Sequence, residues 1–169
     1  MIAVCAVSFS FVPARQMNSA APKMTAGASQ GASETAGGKD ARYAPFNEQI
    51  LLYVNQFRSD NGKPPLTMNQ DMVETAAIHS TAMAKGTVAF GHDNFDLRFK
   101  YVSAKLGGVN AFAENVAMGE MNAQQVVDGW AHSPGHRKNM LGDYNLTGIA
   151  TATASNGTIY FTQIFAHKQ

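Results

Sequence analysis

The sequence predicts an α+β fold, with helices first along the chain and a β-hairpin at its end. Apolar residues recur at helical spacing through most of residues 44–131, and capping or breaking residues separate the segments. Two segments rich in Thr, Ile, Tyr and Phe follow at residues 146–154 and 158–166. Ser155-Asn156-Gly157 between them is typical of a hairpin turn. Helices and strands do not alternate regularly, which disfavours a parallel α/β sheet.

Helical segments are expected at about residues 44–60, 70–85, 95–106 and 123–131, with a short helical turn after residue 133. Asn69 is suited to cap the second helix and Gly86 to end it. Ser133 is expected to cap the short turn, with Pro134 at its first position. Residues 111–118 are extended or a strand. The predicted core includes Val54, Phe57, Val126, Trp130, Phe161 and Ile164.

Composition limits the function classes. The 169 residues suffice for one globular domain with a sizeable core, and 45% of them are hydrophobic. The net charge is +1 and no stripe of Lys or Arg stands out, so the chain lacks the electrostatic signature of a nucleic-acid binder. Cys5 is the only cysteine. A processed chain would therefore have neither an intrachain disulfide nor a cysteine nucleophile.

The N-terminal part differs from the rest of the chain. Residues 1–12 are apolar and uncharged, and Pro13-Ala14-Arg15 ends this run. The pattern predicts a secretory signal peptide at residues 1–15 whose positively charged start is missing, as in a truncated signal; a spurious N-terminus is the alternative. The run is too short to span a bilayer, so we expect no transmembrane segment there. Residues 16–41 are small and polar, which predicts a flexible linker before a folded domain at residues 42–169.

Glu114 is the acidic residue that most needs an explanation. It lies in the small, apolar run Phe112-Ala113-Glu114-Asn115-Val116, where burial is expected. An unpaired buried carboxylate is costly, so we expect a histidine, an arginine or a metal as its partner. The alternative is a solvent-facing position on an edge strand.

The histidines differ in their expected roles. His92 lies in a loop after Gly91, where it is presented to a cleft or is an ordinary surface residue. His136 is either a site residue or part of a structural staple with Arg137 and its neighbours. His79 fits a core position on the second helix, satisfied by one hydrogen bond. His132 and His136 are four residues apart, but Pro134 interrupts the helix between them, so they should not form a metal-binding pair.

Several motifs in order resemble the CAP superfamily, which includes cysteine-rich secretory proteins, antigen five and pathogenesis-related proteins. The chain is most similar to the cysteine-free, mostly bacterial branch of SCP-domain proteins. The resemblance covers about residues 46–165, and the block Ser133-Pro134-Gly135-His136-Arg137 is its most specific part. The motifs are N-Q-F-R (55–58), K-P-P-L (63–66), A-A-I-H (76–79), F-G-H (90–92), A-E-N-V-A (113–117), W-A-H-S-P-G-H-R-K-N-M-L (130–141) and Y-F-T-Q-I-F (160–165).

The resemblance implies an α-β-α sandwich with a small antiparallel sheet between helical layers, and a cleft lined by two histidines and two acidic residues. His92 and Glu114 match the first histidine and the first glutamate. Ser133 stands where the second glutamate is expected, and Tyr160 stands where the second histidine is expected. His136 matches a histidine of the cysteine-free branch's own motif. These departures weaken the expectation of the zinc affinity described for some relatives.

Two functions stay open at this stage. The first is a secreted, extracellular binding module whose cleft, lined by His92, Glu114, Ser133, His136, Arg137 and Tyr160, holds a lipid, a glycan or a protein. The second is a hydrolase acting through His92, Glu114 and His136, either around Zn²⁺ or another divalent cation or with Glu114 as general base. Asn145 and Asn156 begin glycosylation sequons, which matter only in a eukaryotic secretory pathway.

Overall fold

The computed structural model describes residues 44–169, so the predicted signal peptide (1–15) and the linker (16–41) lie outside the described residues. Within the described residues, no helix is both long enough and apolar enough to cross a membrane. This part of the chain forms five helices and four strands: α1 (Ala44–Asp60), β1 (Thr67–Met68), α2 (Gln70–Ala84), α3 (Phe95–Leu106), β2 (Ala111–Gly119), α4 (Ala123–His132), α5 (Pro134–Met140), β3 (Leu146–Thr153) and β4 (Ile159–His167).

Local signals placed the helices correctly. The Asn69 side chain accepts a hydrogen bond from the backbone N–H of Met72 at 3.1 Å, which confirms it as the cap of α2. Helix α3 spans the predicted residues and ends at Gly107, whose φ of +73° is a conformation that glycine adopts without a steric penalty. Helices α4 and α5 are separated at Ser133, where the backbone is extended before Pro134 begins the next turn.

The sheet has the order β1-β3-β4-β2. Strands β3 and β4 form the predicted hairpin, and β2 pairs with β4 in antiparallel register. Strand β1 pairs in parallel with β3 over two residues, so the sheet is mixed rather than purely antiparallel. That short strand was not predicted, because two residues between Pro64-Pro65 and the Asn69 cap carry no periodic signal.

Helices cover both faces of the sheet, which confirms the α+β fold and the predicted sandwich. One apolar cluster joins α1 and α4 to one face, and a second cluster joins α2 and α3 to the other face. Helix α2 approaches β3 so closely that a Cβ at Gly148 would collide with the backbone of Met72. All six predicted core residues lie in these clusters, although Phe57 is only partly buried.

Strand β2 is an edge of the sheet, and side chains of α4 and α5 cover its open side. The indole N–H of Trp130 donates to the carbonyl of Val116 at 3.4 Å. The side-chain amide of Asn139 donates to the carbonyl of Glu114 at 3.1 Å. Covering these acceptors prevents a further strand from pairing with β2 and holds α5 beside Glu114.

Candidate functional site

The site is built around Glu114, in the middle of β2. Glu114 lies opposite Ile164 of β4, and Ile164 packs in the cluster formed with α2 and α3. Directly opposed residues of an antiparallel pair project from the same face, so Glu114 points between the sheet and these two helices. Its side chain is fully buried, which confirms the burial expected from the apolar run around it.

Arg98 of α3 and His92 hold the carboxylate of Glu114. The Nε of Arg98 donates to Oε2 at 2.7 Å, and Nη2 donates to Oε1 at 2.6 Å. The Nδ1 of His92 lies 2.9 Å from Oε1, where it donates to the ionised carboxylate. A two-pronged guanidinium–carboxylate contact is among the strongest side-chain interactions. The expected partner of Glu114 is therefore an arginine together with a histidine.

These contacts keep Glu114 ionised. Burial by itself raises the pKa of this carboxyl group, and it is the largest single influence on it. The hydrogen bonds from His92 and Arg98, together with the charge of Arg98, outweigh burial and lower the pKa below its ordinary value. Glu114 is consequently a poor proton acceptor at neutral pH, since general bases work best with a pKa near the working pH.

His92 has one ring nitrogen engaged and one available. With Nδ1–H directed at Glu114, Nε2 carries a lone pair in the neutral ring. Nε2 is buried and has no hydrogen-bond partner among residues 44–169. The loop that carries His92 is fixed by His79, whose Nε2 donates to the carbonyl of Gly91 at 2.9 Å. His79 is 3% exposed, which confirms the prediction of a core histidine satisfied by a hydrogen bond.

His136 and His132 lie in different surroundings, as predicted. His136 is buried on α5, and its ring lies 6.5 Å from that of Trp130. Burial first, and the proximity of His92 second, lower the pKa of His136 to about 4, so it is neutral at pH 7. His132 is exposed at the end of α4, where its Nδ1 donates to the carbonyl of Asp128 at 2.7 Å. The two rings therefore share no face on which a metal could bind.

Ser133 and Tyr160 occupy the two positions where this chain departs from the family pattern. Ser133 is the N-cap residue of α5, as predicted, but its buried side chain makes no capping hydrogen bond. Its Oγ is buried without a hydrogen-bond partner in the described part of the chain. Tyr160 is half-buried on β4, and its ring lies 6.3 Å from that of Phe90, two residues before His92. Tyr160 is thus brought to the loop of the site.

Arg137 does not join this cluster, which corrects its prediction as a cleft residue. Its guanidinium donates to the side chain of Asn61 at 3.0 Å and lies 4.8 Å above the ring of Phe57. Consecutive residues on a helix project about 100° apart, so a buried His136 directs Arg137 to another side, here towards α1.

The residue that sequence reasoning missed is Arg98. The sequence did indicate that Arg98 is buried, because it has helical spacing to Phe95, Val102 and Leu106. All three are buried on one side of α3. A charged residue on an apolar helix face needs a buried partner. Glu114 needed one as well, so the two requirements could have been matched.

The geometry of this cluster does not fit a three-ligand metal site. Both oxygens of Glu114 accept hydrogen bonds from the Arg98 guanidinium, whose positive charge opposes a metal cation at the same position. In the described residues, no group of three or more His, Cys, Asp or Glu is placed to hold a metal ion. The metal site predicted from His92, Glu114 and His136 is therefore not supported by the arrangement of its ligands.

Comparison with known proteins gives a consistent result. The model of the CAP family, described as the cysteine-rich secretory protein family, matches residues 51–165. The uncharacterized protein YkwD of Bacillus subtilis is 30% identical over 130 residues, covering 73% of this chain and 48% of YkwD. The uncharacterized membrane protein YlbC of the same species is 29% identical over 133 residues, covering 72% of this chain and 34% of YlbC. The chain thus spans about half of one relative and about a third of the other.

Solved structures share the fold. An outer surface protein of Borrelia burgdorferi superposes with a TM-score of 0.63 at 16% identity, over 75% of this chain and 96% of that one. An extracellular protein of Bacillus anthracis that contains an SCP domain superposes with a TM-score of 0.60 at 27% identity, over 73% of this chain and 41% of that one. The family model, the curated relatives and the fold agree with the order of the motifs. This chain belongs to the CAP family of cysteine-rich secretory proteins.

Proposed function

We propose that this chain is a secreted binding module whose cleft, formed around His92, Ser133 and His136, holds a ligand that offers hydroxyl groups. The observation that carries the proposal is the Nε2 of His92, which is buried without a hydrogen-bond partner in the described residues while Nδ1 is fixed by Glu114. The related Bacillus anthracis structure is of an extracellular protein, which supports secretion.

A buried polar atom without a partner costs about 1–3 kcal/mol, so it calls for an explanation in a folded protein. A bound ligand that donates a hydrogen bond to His92 Nε2 would remove this cost. The Oγ of Ser133, buried and without a partner among residues 44–169, offers a second group of the same kind. Both groups are uncharged hydrogen-bonding partners, which suits hydroxyl groups better than a strongly charged ligand.

Among the lipid, glycan and protein ligands considered from the sequence, a glycan agrees best with these features. Phe90 and Tyr160 form a tilted ring pair next to the His92 loop, and both rings are partly exposed. Aromatic rings supply an apolar surface with little conformational freedom to lose, and Tyr adds a polar group at its edge. A sugar presents an apolar face and several hydroxyl groups, so it can use the rings and the two polar atoms together.

A hydrolase is the second candidate, favoured by the Glu114–His92 hydrogen bond. A carboxylate that orients a histidine and leaves its other nitrogen available is the arrangement of a general base. However, no nucleophile of the described residues lies within hydrogen-bond distance of His92 Nε2. The version in which Glu114 is the base is disfavoured by its lowered pKa and its occupied oxygens. Binding therefore remains the better-supported proposal.

The test is a binding titration followed by amide chemical shifts in nuclear magnetic resonance. The probes are a soluble chitooligosaccharide, phosphatidylcholine vesicles and unfolded casein, which represent glycan, lipid and protein. We expect the oligosaccharide to shift amides near His92, and His92→Phe to weaken binding by about tenfold, the equivalent of one hydrogen bond. His132→Phe replaces an exposed histidine and should leave binding unchanged.

The outcomes separate the candidates. Binding of vesicles or casein that depends on His92 would move the ligand class to a lipid or a protein. Hydrolysis of casein that is lost in His92→Phe would favour the hydrolase. Absence of binding to all three probes, or binding that is equal in His92→Phe and the parent chain, would contradict the proposal.

A further inference from the structure

We propose that the guanidinium of Arg98 takes the position at the Glu114 carboxylate that a divalent metal ion would need. The site around Glu114 therefore binds no metal ion. A metal bound by His92, Glu114 and His136 was one of the alternatives left open by the sequence, and the arrangement of the side chains points the other way. The inference concerns Glu114 and its partners alone, so it stands whether or not the ligand of the cleft is a glycan.

The first support is the use of the carboxylate oxygens. The Arg98 fork reaches both Oε1 and Oε2 of Glu114, and His92 shares Oε1. These three hydrogen bonds use most of the acceptor capacity of the carboxylate, so a metal ion at Glu114 would have to bind directly beside the Arg98 guanidinium. An open zinc site uses three protein ligands, and among the described residues no group of three or more His, Cys, Asp or Glu is placed to hold a metal ion.

The second support is the charge of the cluster. The positive guanidinium offsets the negative carboxylate, so no uncompensated negative charge remains to attract a cation. A divalent cation entering this environment would meet repulsion from Arg98 at short range, where the protein screens charges weakly.

The third support is that Arg98 cannot easily move aside. Its side chain is 9% exposed, and its Nη1 donates to the backbone carbonyl of Asp93 at 2.6 Å. Asp93 follows His92 directly, so Arg98 holds both the carboxylate and the loop that carries the histidine. Displacing it would leave the guanidinium and the carbonyl of Asp93 without these partners, and Glu114 with His92 alone, which is unfavourable for buried groups. Arg98 is thus a positioning residue that also selects against metals.

The experiment measures zinc binding to the untagged full chain by titration calorimetry and by the shift of Tm with excess ZnCl₂. We expect no Glu114-dependent heat and no rise in Tm for the parent chain. Arg98→Met should remove the competing cation and free Glu114, so that zinc raises Tm by about 4 °C or more. Adding Glu114→Gln to Arg98→Met removes the charge that attracts the metal and should abolish that rise.

Arg98→Lys is the matched control, because it keeps the positive charge but loses the fork; it should bind no zinc at this position. If Arg98→Met does not fold, Arg98→Gln, which keeps an amide donor for Glu114, is titrated in its place with the same expectation. Zinc binding to the parent chain that is lost in Glu114→Gln would overturn the proposal. A folded Arg98→Met or Arg98→Gln chain that shows no response to zinc would overturn it as well.

Discussion

Two arginines are buried in the described part of the chain, and their guanidinium groups have different kinds of hydrogen-bond acceptor. Arg58 is 1% exposed, and its guanidinium donates only to backbone carbonyls, those of Pro64, Met140, Gly142 and Tyr144. Arg98 also donates to one carbonyl, but its main partner is the carboxylate of Glu114.

The difference separates an arginine that binds only backbone carbonyls from one that positions the residues of the proposed site. Arg58 ties the end of α1 to the segment after α5, and burial lowers its pKa because no carboxylate accepts its hydrogen bonds. Arg98 fixes a carboxylate, which fixes a histidine, whose second nitrogen is buried and unused within the described residues. A buried atom without a partner calls for an explanation, which the proposed ligand would supply, whereas the hydrogen bonds of Arg58 need no further partner.

Replacing Arg98 should have the largest effect, because it leaves a charged carboxylate buried. We expect Arg98→Met to lower the free energy of unfolding by about 3–5 kcal/mol, the usual cost of breaking a buried ion pair. The double variant Arg98→Met/Glu114→Gln should recover a substantial part of that loss, since no buried charge remains. Urea unfolding of the single and double variants measures this coupling. Additive losses in the double variant would mean that the pair does not act as a unit.

Replacing Arg58 should have the next largest effect, without any rescue by removing an acid. Arg58→Met leaves the four carbonyls without their donor. Water can reach some of them, so we expect a loss of about 3 kcal/mol rather than the sum of the separate bonds. Asp143 is the acidic residue whose charge acts on Arg58. Urea unfolding of Arg58→Met with and without Asp143→Asn should give the same decrease in the free energy of unfolding. A smaller decrease in the double variant would mean that Arg58, like Arg98, is paired with an acidic residue.

His136, another buried basic residue, avoids a buried charge by staying neutral. Its pKa falls from an ordinary value of 6.5 to about 4 on folding. Between these values the unfolded chain binds more protons, so stability falls as the pH falls from about 6.5 to 4. We expect His136 to contribute at most about 3 kcal/mol of that loss.

Urea unfolding across this pH range tests the contribution of His136. The His136→Phe variant should show a shallower dependence of stability on pH than the parent chain. His132→Phe, which replaces the exposed histidine, should keep the dependence of the parent. Equal dependence in His136→Phe and the parent would show that His136 is not the group responsible.

Local signals made most of the fold predictable. The Asn69 cap, the glycine end of α3 and the break at Pro134 depend on residues within one helical turn of each other, so the sequence displays them directly. The strand β1 was missed because it exists only through its pairing with residues 146 and 147 of β3. Ser133 occupies the predicted N-cap position, but its hydroxyl makes no capping hydrogen bond, because the tertiary environment decides where a small hydroxyl points.

By itself, the sequence determined the family, the α+β class, the boundaries of the helices and the burial of Glu114. Periodicity and motif order carry that information, because they need no knowledge of distant contacts. Only the tertiary structure decided that Arg98 is the partner of Glu114, that Arg137 turns towards α1, and that His92 keeps one nitrogen unused. These contacts join residues of different elements, and a buried charge can be satisfied by any suitable partner that the packing brings within reach. A buried carboxylate at Glu114 requires a partner, and the packing of α3 against the sheet places Arg98 within hydrogen-bond distance of it.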